Sequence, residues 1–87
     1  MKKITVQPLQ QFTVVIEADA DGGYYALCPT LPGCYSQGET LEETKRNIRE
    51  AIQCHLESLL KDGEPLPVAR DEFVGTIQVP LPTKHGR

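Results

Sequence analysis

The sequence has no tryptophan, one methionine, two phenylalanines and three tyrosines, so aromatic residues form only 6% of its 87 residues. A chain of this length fits a single domain, spanning residues 1–87, and buries only about 60% of the surface that its unfolded form exposes. Because small domains commonly gain stability by association, we expect a homodimer or a higher homo-oligomer. We expect the core to span about residues 12–80 and the polar tail 83–87 to be flexible.

A basic excess is also missing, since the net charge is −3. Proteins whose main task is to bind nucleic acid usually carry surplus lysine and arginine to neutralise phosphates. An acidic domain is instead compatible with a basic protein partner. No apolar run long enough to span a membrane follows the Met-Lys-Lys start, and the three cysteines are an odd number. We therefore expect a cytoplasmic protein without a membrane partner.

Alternation of apolar and polar residues predicts three strands, one long helix and a closing strand. The order is β-β-β-α-β, an α+β domain with a mostly antiparallel sheet packed against the helix. Ile4-Thr5-Val6 could add an edge strand or an arm. The predicted strands are residues 12–18, 24–28, 34–37 and 73–79, and the predicted helix runs from 41 to about 61.

Local signals mark the boundaries of these elements. Gly22 and Gly23 after two aspartates indicate a hairpin turn, and the Pro/Gly-rich residues 29–33 predict a rigid corner. Thr40 and Glu43 fit a capping box, in which Glu43 reaches back to the amide of Thr40. Gly63 is a natural end for the helix.

The second predicted strand has apolar side chains on both faces. Tyr24, Ala26 and Cys28 share one face, whereas Tyr25 and Leu27 share the other. One helix can cover only one face of a sheet, so we expect the other face to meet a second molecule.

The residues support no catalytic assignment. The chain has no phosphate-binding loop, nucleophile elbow or dinucleotide fingerprint. The carboxylates Asp19, Asp21 and Glu43 could in principle hold magnesium, but the turn and the helix cap explain them more simply. Cys28 and Cys34 lack the spacing of a zinc site, so we expect them in the core. We expect no catalytic residue, no metal and no cofactor.

Four motifs resemble those of the HicB-like antitoxin family. They are D-G-G-Y at residues 21–24, C-P-x-L-P-G-C at 28–34, Q-G-E-T-x-E-E at 37–43 and N-I-x-E-A-I at 47–52. The resemblance extends from about residue 12 to residue 67. It implies a partial, degenerate ribonuclease-H-like fold, in agreement with the strand and helix order predicted above.

The resemblance also implies a function. HicB-like antitoxins of type II toxin–antitoxin systems neutralise a HicA-type toxin, a small basic ribonuclease, by covering its active site and RNA-binding face. We expect no direct nucleic-acid binding, because the 87 residues include no helix-turn-helix or ribbon-helix-helix module. The residues expected at the partner surface are Asp19, Asp21, Tyr25, Leu31, Pro32 and Glu39.

Two alternatives to the antitoxin remain open. One is a residual magnesium-dependent nuclease that uses Asp19, Asp21 and Glu43. The other is a stand-alone regulator that binds another protein and has no toxin partner.

Overall fold

Three short strands and one long helix form the fold of the described residues. The computed structural model describes residues 10–68 and 71–84. The elements are β1 Val15–Ala18, β2 Tyr24–Leu27, β3 Tyr35–Gly38 and α1 Leu41–Lys61. The sheet has the order β1-β2-β3, and both pairs are antiparallel. The predicted α+β class is confirmed, whereas the strand or arm predicted at Ile4-Thr5-Val6 and the end of the tail lie outside the described residues.

The first strand is shorter than predicted. It pairs with β2 from Val15, opposite Leu27, to Ala18, opposite Tyr24. Continuing this register to residues 12–14 would require residues 28–30 as partners. Those residues begin the corner, where Pro29 lacks an N–H and the chain turns towards β3. The strand therefore begins three residues later than the alternation of side chains predicted.

The core lies between the sheet and α1. Ala26, Cys28 and Ile48 are buried there, and the burial of Cys28 agrees with the expectation from the sequence. Leu31 and Cys34 complete the buried cluster. Partly buried apolar residues surround it on β1, on the residues that precede β1, and on α1; they are Phe12, Val14, Ile16, Ala51, Ile52, Leu56 and Leu59.

The helix begins at the residue that the capping signal predicted. Thr40 is the N-cap, and its hydroxyl accepts a hydrogen bond from the Glu43 amide at 3.1 Å. The return contact differs from the prediction, because the Glu43 carboxylate accepts from the amide of Glu39 and not from that of Thr40. The side chain of Glu43 passes over Gly38, where the missing β-carbon leaves room, and this brings it to the preceding amide.

The helix ends at a glycine, also as predicted. Gly63 has φ +71°, a left-handed conformation that glycine adopts without steric cost. Its amide bonds to the carbonyl of Leu60, and the next amide, of Glu64, bonds to the carbonyl of Leu59. This pair of bonds is the Schellman motif, and it satisfies carbonyl groups that the last turn would otherwise leave unpaired.

The predicted fourth strand is not part of the sheet. Residues 71–84, here called the C-terminal arm, are exposed and carry no assigned secondary structure. The side chain of Phe73 is 80% exposed and that of Ile77 is 79% exposed. The chain consequently has a radius of gyration of 18.5 Å, against about 12 Å expected for a compact domain of this length. Residues 73–79 have the side-chain alternation of a strand, but a strand also requires a hydrogen-bonded neighbour.

Candidate partner-binding surface

The acidic turn between β1 and β2 is held by its own backbone. The amide of Asp19 bonds to the carbonyl of Gly23 at 2.9 Å, and the Asp19 carboxylate accepts from the amide of Asp21 at 3.0 Å. Gly22 and Gly23 have φ values of +107° and +74°, which explains why both are glycines. A β-carbon at Gly23 would also lie 2.7 Å from the carbonyl oxygen of Gly38. The turn therefore sits directly against the end of β3.

The corner between β2 and β3 is closed by three backbone hydrogen bonds. The amide of Leu31 donates to the carbonyl of Cys28, and the amide of Cys34 donates to the carbonyl of Leu31, both at 3.0 Å. The amide of Cys28 donates to the carbonyl of Cys34 at 3.1 Å. Leu31 is only 2% exposed, whereas Pro32 is exposed. The corner thus inserts one leucine into the core and presents a proline to solvent.

A shallow cavity of about 250 Å³ lies where the turn, the end of β3 and the start of α1 meet. Among the residues that the structure describes, its lining includes three carboxylates, those of Asp19, Glu39 and Glu43, and no basic side chain. The lining residues are Asp19, Gly22, Tyr24, Gln37, Gly38, Glu39, Glu43 and Asn47. We call this cavity the acidic pocket. Its concentration of negative charge suits a lysine or arginine side chain of a partner.

The acidic pocket is not arranged as a metal site. Within residues 10–68 and 71–84, no three His, Cys, Asp or Glu side chains are placed to hold one metal ion. Asp19 and Glu43 each accept a backbone N–H, which fixes their orientation. Asp21 does not line the pocket. The magnesium hypothesis therefore finds no assembled ligand set at the residues that it named.

The sheet face away from α1 carries an exposed apolar row. Val15, Leu27 and Tyr35 lie side by side in register across β1, β2 and β3. Leu27 is 46% exposed and Tyr35 is 69% exposed. We call this face the open face. In β2, Ala26 is fully buried on the side that faces the helix, whereas Leu27 on the other side is exposed. The helix therefore leaves one apolar face of the sheet uncovered, as the sequence predicted.

Tyr25 lies on the open face beside this row. Its hydroxyl donates a hydrogen bond to the carboxylate of Glu17, its register partner on β1. This hydrogen bond raises the pKa of Tyr25 above its usual value, and the negative charge of Glu17 adds to the effect. The phenol therefore remains a neutral donor, fixed in position by its neighbour.

The six residues predicted for the partner surface fall in three places. Asp19 and Glu39 meet at the acidic pocket, with Asp21 on the adjoining turn. Tyr25 lies on the open face. The corner is at the opposite end of β2, about 13 Å away for a strand of four residues. There Pro32 is exposed, whereas Leu31 is buried and supports the corner from below.

Sequence reasoning missed Asn47 and the row of Val15 and Tyr35. The Asn47 side-chain amide donates to the carbonyl of Gln37 at 2.8 Å and lines the acidic pocket. Asparagine has a low helix propensity, and residues four apart lie on the same face of a helix. Its position four residues after Glu43 could therefore have indicated that Asn47 lies beside the carboxylate of Glu43. The row could not be found in the same way, because it depends on the register between strands.

The helix is not a membrane segment: over the described ranges, none of the helical sequence is both long and apolar enough to cross a bilayer.

Comparison with known proteins identifies the family of this chain. Residues 12–78 match the family model described as the HicB-like antitoxin of bacterial toxin–antitoxin systems. The chain belongs to the HicB-like antitoxin family. The matched region includes the turn, the corner, the acidic pocket and most of the C-terminal arm, and the resemblance inferred from the four motifs is confirmed.

Individual relatives of this HicB-like chain agree with that assignment. A UPF0150 protein of Synechocystis is 47% identical over 64 residues, which cover 74% of this chain and 81% of the relative. A UPF0150 protein of Thermoplasma acidophilum is 47% identical over 57 residues, which cover 66% and 83% of the two chains. A chain of the solved HicA3 and HicB3 toxin–antitoxin complex matches with a TM-score of 0.60 and 26% identity, over 71% of this chain and 72% of its own.

Proposed function

We propose that this HicB-like chain binds a small HicA-type ribonuclease toxin and neutralises it by covering its active site and RNA-binding face. The family membership and the similarity to a chain of a toxin–antitoxin complex support this proposal. The observation that carries it is the acidic pocket, where Asp19, Glu39 and Glu43 are brought together. A toxin that binds RNA needs a basic surface, and an acidic counterpart steers such a surface into place.

Two separate features, at opposite ends of the strands, would divide the work of binding. The acidic pocket would receive a lysine or arginine of the toxin and set the orientation of the complex. The open face would bury its exposed row of Val15, Leu27 and Tyr35, which supplies contact area that ion pairs alone do not. Tyr25, which is half-buried, and the exposed Pro32 would lie within or beside this contact, while Leu31 would only support the corner.

Further parts of the proposal concern the state of the antitoxin. It acts as a cytoplasmic homo-oligomer and has no catalytic activity of its own. We also interpret the three strands and the helix as part of a ribonuclease-H-like fold, as the family resemblance implies. An antitoxin of this kind works by steric exclusion, so it needs a stable complex rather than a reactive group.

Co-expression tests the proposal in cells. A HicA-type toxin is induced alone and together with the chain, and growth is followed. Restored growth and a complex that survives purification are expected. If growth is not restored and no complex is isolated, the proposal is wrong.

Substitutions to arginine locate the surface in the same experiment. Leu27→Arg, on the open face, should abolish rescue because it places a cation within an apolar contact against a basic partner. Glu57→Arg, on the exposed side of α1, is the matched control and should leave rescue unchanged. Equal rescue by both variants would show that the open face is not used.

A further inference from the structure

The C-terminal arm has the pattern of a strand but pairs with no other strand in the described part of the chain. Phe73, Ile77 and Val79 recur at even spacing, so an extended backbone places them on one side. All three are at least 71% exposed. An apolar strand face that stays this exposed is a typical site of pairing with another chain.

The edge of β1 is the complementary feature. In an antiparallel ladder, successive residues direct their backbone N–H and C=O groups alternately towards and away from the neighbouring strand. Asp19 is hydrogen-bonded to Gly23, so Glu17 and Val15 also direct these groups to β2. The backbone groups of Ile16 and Ala18 consequently point away from the sheet, and no backbone group in the described part of the chain pairs with them. The edge can therefore accept one more strand.

The other edge of the sheet is less available. There the outward-facing carbonyl of Gln37, on β3, already accepts the side-chain amide of Asn47. An added strand would have to displace this bond, which joins β3 to the helix. The β1 edge has no such contact among the described residues.

The core beside β1 is also incomplete. Val14 and Ile16 pack against the buried cluster but remain only partly buried, as do Ile52 and Leu56 on α1. A strand added at the β1 edge would lay its apolar side over this margin of the core. The arm offers a side of that kind, and at about 3.3 Å per residue its residues 73–81 reach roughly 30 Å.

The arm does not use its own β1 edge in this structure. The start of the arm lies near the residues that precede β1, because Thr13 donates a hydrogen bond to the carboxylate of Glu72. Just before the arm, the carbonyl of Pro67 accepts a hydrogen bond from the side chain of Gln10. All residues of the arm are exposed. A second copy of this chain has the same open β1 edge, and other copies are present in any solution of the protein. The arm of one copy can therefore meet the β1 edge of another.

We propose that two copies exchange arms, and that the arm of each adds as a fourth strand to the β1 edge of the other. The exchange is isologous, so both β1 edges and both arms are used and the assembly closes at two chains. It completes each sheet to four strands, which is the order that the sequence predicted. This pairing is independent of the toxin proposed above.

Two measurements on the full-length chain test the exchange together. Light scattering after size-exclusion chromatography gives the mass, and amide hydrogen exchange by NMR reports on Ile16 and Ala18, whose N–H groups face outward. We expect the mass of two chains and slow exchange at these amides. The amides of Val15 and Glu17, which bond to β2, serve as an internal reference.

Matched substitutions assign the protection to the arm. Ile77→Asp should give the mass of one chain and exchange at least about tenfold faster at the outward amides, with the reference amides unchanged. Gln78→Asp adds the same charge on the other side of the arm and should keep the dimer. Ile77 makes no core contact, so its substitution leaves the monomer fold intact, which far-UV circular dichroism checks.

The remaining outcomes contradict the proposal. A monomer with protected amides would mean that the arm, or residues 1–9, pairs within its own chain. A dimer with unprotected amides, or with protection that Ile77→Asp does not change, would place the contact elsewhere. A monomer without protection would show that the arm finds no partner in a second copy.

Discussion

The α-carbon of Gly38 lies so close to Thr44 that a β-carbon there would be 2.7 Å from the Thr44 hydroxyl oxygen and 2.8 Å from its backbone nitrogen. Thr44 is fully buried, and its hydroxyl donates to the carbonyl of Thr40 at 2.7 Å. The end of β3 and the first turn of α1 therefore touch through their main chains. This contact positions the Glu39 and Glu43 carboxylates beside the acidic turn.

Gly38→Ala should lower the free energy of unfolding by about 1–3 kcal/mol, the usual cost of inserting a methyl group where there is no space. Urea denaturation measures the change. Gly75→Ala is the matched control, because its new methyl group would meet only the exposed ring of Phe73. Equal stability of the two variants would show that the contact at Thr44 is easily relieved.

The N-cap of α1 gives a second prediction. Thr40→Ala removes the oxygen that accepts the Glu43 amide, and should cost about 1 kcal/mol of stability. Thr40→Asp keeps an acceptor at this position and should retain most of the stability. The same urea denaturation measures both variants, and a loss as large in Thr40→Asp would contradict a capping role.

Tyr25 should titrate above the usual tyrosine pKa of 10.0, because its neutral phenol donates to Glu17. A proton held more tightly in the folded state stabilises the fold fully below the unfolded pKa, and this contribution is lost as the pH rises through the raised pKa. Absorbance at 295 nm, with Tyr25→Phe used to identify the transition, measures it. Glu17→Gln should move the transition to lower pH, whereas Glu39→Gln should not.

The thiols should differ in reactivity. Cys28 and Cys34 are buried and Cys54 is exposed. Burial raises the pKa of the Cys34 thiol, and the charge of Cys28 adds to this, so Cys34 carries little thiolate at neutral pH. A disulfide reagent should modify one thiol rapidly in the native protein and all three after unfolding. Cys54→Ser should remove the rapid phase, and its persistence would contradict this placement.

The acidic pocket should contribute to affinity for the proposed toxin. Asp19→Asn and Glu39→Gln each remove one exposed charge, which should weaken binding by up to about fivefold and reduce its salt dependence. Calorimetry at two salt concentrations measures both effects. Glu57→Gln, on the exposed side of α1, is the control, and an equal loss there would mean that only net charge matters.

Much of the fold follows from local signals in the sequence. Thr40 and Gly63 fix the two ends of α1, because a cap and a left-handed glycine act on their immediate neighbours. The glycines of the acidic turn and the Pro/Gly corner are likewise specified by their own residues. The placement of Cys28 and Cys34 in the core was also predicted, because their spacing does not fit a zinc site.

Features that depend on tertiary contacts could not be obtained in this way. Leu31 has the appearance of an exposed corner residue, yet closure of the corner places it in the core. Asp19 and Glu39 are 20 residues apart and share a pocket only because β3 returns to the turn. The closing strand at residues 73–79 was predicted from alternation alone, and residues 10–68 and 71–84 provide no paired neighbour for it.

Titration of the toxin's ribonuclease activity tests the central claim most directly. The purified HicA-type protein cleaves a labelled RNA while this chain is added in increasing amounts, and the remaining cleavage is measured. Binding by occlusion predicts that cleavage falls in proportion to the added chain and ceases when every toxin molecule is bound. Undiminished cleavage in the presence of excess chain would contradict the account.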